Sequence, residues 1–253
     1  MTAATDFQGA ARVRTLPRTC VLFALDQERK AFRHNAGPDV RIATSGAGAT
    51  NAARAASGII AAYDDTRPTI VVCGFAGSLS PMLKPGNLIV ATSVVDLSSG
   101  PDSPGQVRTP HSALVDAALK ANNSGTAVHR GALVTANRVL ITAHEKQEWR
   151  RMASAVAVDM ETAAIAAVAE SAGCPWVSVR AISDGAQTDL PLDFNELADP
   201  NGTVRPGKVA LAALLRPWAI PGLMRLGKES ATAGRNLASF LEFFLRNVPE
   251  IVE

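Results

Sequence analysis

Apolar residues in this chain fall into short runs separated by glycine- and proline-containing turns. Runs over 19–25 (TCVLFAL), 39–45, 69–73, 88–95, 127–135, 155–158 and 176–182 each have the length and apolar or β-branched content of buried strands. Between them, stretches over 50–63, 112–121 and 161–172 predict helices, and Arg29 and Lys30 open a further one. The stretch 161–172 is Ala, Ile and Val on nearly every side, which predicts a buried rather than an amphipathic helix. Gly173 and Pro175 end it, the glycine as a left-handed cap and the proline because it cannot continue a helix. Some seven strands alternating with helices predict an α/β fold, a three-layer α/β/α sandwich around a mixed central sheet. One domain spans 1–253, with a loose tail over 1–17 and an extra C-terminal helical extension over 200–253.

The turns that follow the strands carry the candidate chemistry, because open α/β sheets bind ligands beyond the carboxyl ends of their strands. Glu161 comes off the run 155–158, and Asp184 sits just past 176–182. Two carboxylates on one rim form a candidate catalytic pair, although both residue types also serve as caps and turn formers. Asp26, Gln27 and Glu28 end the first strand, where a first-turn acid is also favoured by the helix dipole. Gly46-Ala47-Gly48 feeds the helix 50–63 and leaves backbone N–H groups facing outward for an anion or a polar oxygen. Asn51 stands where a dinucleotide fingerprint would have its third glycine, so this is not that motif.

Charge and composition narrow the classes. A formal net charge of +2 gives no strong field for nucleic acid. Cys20, Cys73 and Cys174 are odd in number, widely spaced and in apolar contexts, which suits a reducing cytoplasm. His34, His111, His129 and His144 show no ligand spacing, so neither a metal nor another cofactor is expected. No run approaches the roughly 20 apolar residues of a spanning helix. The first 17 residues hold Arg12 and Arg14 without a long apolar core, and read as a tail rather than a signal peptide.

Two segments together, VDMETAAIA over 158–166 and VRAISDGA over 179–186, resemble the nucleoside phosphorylase/nucleosidase superfamily. The likeness is greatest to its methylthioadenosine/S-adenosylhomocysteine nucleosidase branch. The segments ALDQERKAF, TSGAGATNAARAA, GFAGSL with LKPGN, and TANRVLITAHEK extend the resemblance over roughly 19–197. It implies a barrel-like central sheet, cleavage of the N-glycosidic bond of a purine nucleoside, and a homodimer. It also implies roles. Asp184, after Ser183, protonates the purine; Met160 and Glu161 bind the ribose; Glu28 positions the attacking water. Ser45 and Gly46 line the water or phosphate side of the sugar, beside Phe75, Ala76 and Gly77. Val139 replaces the phenylalanine that stacks on the base, and Leu140 helps to cover it. Gly86 stands near the place of a phosphate-binding arginine in phosphorylases, which with Glu28 favours water over phosphate. The loop 97–110 lacks the aromatic residues that close the 5′ pocket in these nucleosidases. A noncatalytic nucleoside-binding protein on the same fold is the alternative, and the retained Glu28, Glu161 and Asp184 argue against it.

Beyond 199, Leu214, Leu215, Trp218, Ile220, Leu223, Met224 and Leu226 interleave with Arg216, Arg225 and Lys228, and Pro217 and Pro221 break the helical pattern. Two readings stand: a layer packed on the core or on a dimer partner, and a greasy, basic surface at a membrane interface. The tail resembles that of hopanoid-associated phosphorylases, which implies a lipid-linked nucleoside such as adenosylhopane. On that reading, the segment 218–226 roofs an open 5′ pocket.

Overall fold

The computed structural model describes residues 18–32, 39–63, 66–121, 125–199, 204–249 and 251. The expected tail over 1–17 lies outside them. The chain order is β1 (Thr19–Phe23), α1 (Asp26–Lys30), β2 (Val40–Thr44), α2 (Ala49–Ile60), β3 (Thr69–Ser78), β4 (Leu88–Leu97), β5 (Gln106–Arg108) and α3 (Ser112–Lys120). There follow β6 (Val128–Ala136), α4 (Ala143–Ala153), β7 (Ala157–Asp159), α5 (Thr162–Ser171), β8 (Trp176–Asp184), α6 (Phe194–Leu197), α7 (Pro206–Leu215), a 3₁₀ turn (Pro217–Ala219) and α8 (Ile220–Phe244).

The sheet is mixed, and part of it closes on itself. β3 pairs with β8, β8 with β4, β4 with β6, β6 with β7 and β7 back with β3, which makes a five-stranded barrel. β1 and β2 extend it in parallel beside the first half of β3, and β5 hangs on the second half of β4. Closure is possible because β3 runs on through Gly74–Ser78, beyond the apolar run 69–73. There Gly77 and Ser78 pair with β7 beyond the end of β1. The register shifts between Ala76 and Gly77, and Asp184 faces Gly77 as the last residue of β8 rather than lying beyond the strand.

Period-two alternation divides the strand side chains between two cores. Cys20, Leu22, Ile70 and Val72 pack against α2 and α5. Val21, Phe23, Val71 and Cys73 pack against α3 and the second half of α8, which contributes Ala233, Leu237, Phe240, Leu241 and Phe244. Helices thus lie on both faces of the sheet. Pro221 does not break α8: it lies in the first turn, where its missing N–H has no partner to lose. The break falls at Arg216–Ala219, and the axes of the helices on either side differ by 116°.

Candidate active site

The carboxyl ends of β1, β3, β7 and β8 meet around a cavity of about 500 Å³, lined by residues that include Glu28, Phe75, Ala76, Gly77, Met160, Glu161, Ser183 and Asp184. Gly46, Val139 and Leu140 also line it. Of the residues to which the resemblance gives a catalytic or substrate-binding role, the fold brings together all except Ser45. That hydroxyl donates to the Gly46 and Phe23 carbonyls at 2.9 and 3.3 Å, and Ser45 is not among the lining residues.

Glu28 is buried on the short α1, and backbone amides hold both of its oxygens. Phe75 N–H donates to Oε1 at 2.7 Å and Leu25 N–H to Oε2 at 2.9 Å. Burial pushes its carboxyl above the usual range, against the pull of Arg180 and these amides. Gly74 makes the approach possible. With φ at +153°, a Cβ there would stand 2.6 Å from Arg180 Nη1 and 2.7 and 2.9 Å from the two Glu28 oxygens.

Glu161 opens α5 without capping it through its side chain. Its Oε1 accepts from Gly48 N–H at 2.9 Å, so the glycine turn expected to offer N–H groups to an outside anion serves a carboxylate of the same chain. Burial raises the Glu161 pKa to about 7, with Asp159 and Glu28 adding to the shift and Arg180 opposing it. Arg180, in mid-strand β8, is fully buried and ties the floor together. It pairs with Asp159, lies 3.7 Å from Glu161, and donates to Thr162 Oγ1 at 2.8 Å. Thr135 and Thr162 complete the shell of Asp159.

Asp184 is buried and accepts hydrogen bonds on both oxygens, from Ser183 Oγ at 2.7 Å and from Lys146 Nζ at 2.6 Å. Lys146 is a residue the sequence reading missed. It sits within TAHEK, where Thr142 and Glu145 form a capping box that announces α4. Glu145 N–H donates to Thr142 Oγ1 at 3.1 Å, and Glu145 Oε2 accepts from Thr142 N–H at 3.0 Å. One turn of helix then places Lys146 inward. Asn195 was missed as well. Its amide accepts from Val139 N–H at 2.9 Å and donates to Val139 C=O at 3.0 Å, clamping the segment that flanks the cavity.

Three further segments lie off the cavity. Gly86 is not a lining residue; α8 covers its turn, with Asn236 Nδ2 donating to the Gly86 carbonyl at 2.8 Å. None of the residues 218–226 lines the cavity; Leu190, Phe194, Asn195, Ala198 and Val204 form that wall. The loop after β4 contributes no lining residue either. Among the described residues, no group of His, Cys, Asp and Glu could hold a metal ion.

Residues 19–215 match the Phosphorylase superfamily. The 5′-methylthioadenosine/S-adenosylhomocysteine nucleosidase of Shewanella denitrificans is 31% identical over 173 residues, which cover 63% of this chain and 74% of that protein. The Neisseria meningitidis enzyme of the same name, solved with methylthio-immucillin-A, superposes with a TM-score of 0.69 at 23% identity and covers 91% of this chain and 99% of its own. The futalosine hydrolase of Helicobacter pylori superposes with a TM-score of 0.66 at 19% identity, with coverage of 90% and 97%. At these identities the structures speak for the fold, which is the barrel-like one described above.

Proposed function

Because this chain belongs to the phosphorylase superfamily, we propose that it is a purine nucleosidase, which cleaves the N-glycosidic bond of an adenine nucleoside with water as nucleophile. The observation that carries this reading is the charge of the lining. Asp26, Glu28, Asp159, Glu161 and Asp184 face the cavity against Arg138 and Lys146. The nearby N–H groups of Leu25, Gly48 and Phe75 already donate to Glu28 and Glu161. A phosphate would meet occupied donors and repelling carboxylates. Water and a cationic, oxocarbenium-like sugar would meet acceptors and stabilising charge.

As the C1′–N9 bond breaks, its electron pair moves onto the purine, and a proton passes from the Asp184–Lys146 pair through Asp184 to N7. Such acid catalysis is worth about 10² to 10⁴-fold. Water held by Glu28 attacks C1′ and gives its proton to that carboxylate, so one proton is spent and one is recovered. Glu161 accepts from the ribose hydroxyls and Met160 packs under the sugar. Val139 and Leu140 cover the base.

For the 5′ substituent we assign a small apolar thioether such as methylthio. The wall of Leu190, Phe194, Ala198 and Val204 is apolar apart from Asn195, and the related Shewanella protein is named for methylthioadenosine and S-adenosylhomocysteine. A lipid-linked nucleoside rests on the tail, and the segment 218–226 stays off the cavity.

The test is adenine release from methylthioadenosine, S-adenosylhomocysteine and adenosine, with and without phosphate. Release at the same rate in both buffers, with free sugar as product, is expected. Strict phosphate dependence with a sugar 1-phosphate would overturn hydrolysis. No release from any of the three would overturn the enzymatic reading.

A further inference from the structure

We propose that α7, the 3₁₀ turn and the first turns of α8 form a docking surface for an anionic lipid bilayer, independently of the reaction assigned above. α7 is PGKVALAALL, with one charged residue in ten, yet it buries none of them. Leu211, Leu214 and Leu215 are 58%, 76% and 70% exposed, and they are continued by Trp218 at 76% and Met224 at 60%. This helix touches its own chain chiefly through the 3₁₀ turn. A helix of ten residues is shorter than the roughly 12–15 that hold together alone in water, so its stability calls for a surface outside the chain.

Charge selects the occupant. From Val204 to Lys228 the chain carries Arg205, Lys208, Arg216, Arg225 and Lys228 and no acid. Arg205 lies 3.7 Å from Asp199 and Arg225 4.0 Å from Glu229; Lys208, Arg216 and Lys228 have no carboxylate partner among the described residues. The rest of the chain balances this cationic strip, since the whole has a net charge of only +2. A second copy presenting the same face across a two-fold axis would set like charges together. Leucines, an exposed tryptophan and interleaved cations match instead the boundary between headgroups and acyl chains. Insertion is shallow on this reading, because no single helix among the described residues is long and apolar enough to cross a membrane.

The surface also shares a rim with the cavity. Val204, a lining residue, lies two residues before α7 begins at Pro206. Gly222 in α8 packs on Pro191, leaving 2.8 Å from an added Cβ to the proline Cβ. Docking therefore places the cavity's outer wall near the bilayer.

Trp149 and Trp176 are buried at 4% and 2% exposure, so a change in tryptophan emission on adding vesicles reports Trp218. The full chain is expected to co-sediment with phosphatidylcholine vesicles containing phosphatidylserine, with a blue shift, and to bind more weakly as salt is raised. Pure phosphatidylcholine should bind it less. Leu214→Glu with Leu215→Glu should lower the bound fraction at least about tenfold, leaving the thermal midpoint and adenine release unchanged. Absence of binding to either vesicle would overturn the proposal. So would undiminished binding by the double variant. A wild-type dimer that the double variant turns to monomer, without vesicle binding, would assign the face to a second copy.

Discussion

Lys146 Nζ lies 2.6 Å from Asp184 Oδ2, and its other hydrogens go to the carbonyls of Thr188 and Gly185 at 2.9 and 3.0 Å. At 1% exposure this ammonium has no water to fall back on. Its three bonds fix the carboxylate that faces the cavity from the end of β8.

Lys146→Met leaves Asp184 buried beside an apolar group, and breaking a buried pair from one side costs about 3–5 kcal/mol. Asp184→Asn keeps the shape of the side chain and removes the acid. Each variant is expected to lower adenine release at least about a hundredfold, with Asp184→Asn retaining its fold. In thermal unfolding, the double variant should lose less stability than the two single losses combined. Purely additive losses would show that the two groups do not act as a pair.

The pH response follows from Glu161. Its folded pKa, about 7, exceeds the ordinary 4.5, so between these values the folded chain binds more protons than the unfolded one. This group's contribution to stability is therefore full below about pH 4.5 and is lost as pH rises through about 7. Glu161→Gln removes that dependence. Melts of wild type and variant across this range should show the variant gaining relative stability as pH increases. Turnover of the wild type should fall as Glu161 is protonated below about pH 7, because a neutral carboxyl is a poorer acceptor for the ribose hydroxyls. A parallel pair of stability curves would remove Glu161 from the first effect, and turnover that does not fall below about pH 7 would remove it from the second.

Gly74→Ala tests how closely backbone and site are fitted. The added Cβ would stand 2.6 Å from Arg180 Nη1 and under 3 Å from both Glu28 oxygens, at a φ of +153° that side chains rarely adopt. A lower melting temperature and a loss of turnover are expected together. Wild-type turnover in this variant would mean that Glu28 can move without consequence.

Asn195→Ala removes two hydrogen bonds to Val139, at 2.9 and 3.0 Å, with no charge change. At about 1 kcal/mol for each bond, the melting temperature should fall by several degrees and KM for the nucleoside should rise, while kcat moves little. An unchanged KM would leave the clamp without a part in binding.

The sequence by itself determined the strands, most of the helices and the acids at their ends. Local rules govern these features: apolar runs pair into sheets, glycine and proline stop elements, and residues after a strand's carboxyl end reach the rim. That is why Glu161 and Asp184 could be placed on one rim from their positions in the chain, while Glu28 joined them only through the family resemblance. Only the tertiary structure decided what each carboxylate meets. The Lys146–Asp184 pair spans 38 residues and the Gly48–Glu161 bond spans 113. Neither leaves a local pattern, because the barrel closure that brings the partners together depends on β3 continuing past its glycines to β7. The tail shows the same division. Its apolar residues predict first a layer packed on the core or on a dimer partner and second a membrane-facing surface, since such residues record a need for burial but not its partner. The fold buries the second half of α8 against β8 and leaves α7 bare, because α3 and that half of α8 already cover this face of the sheet.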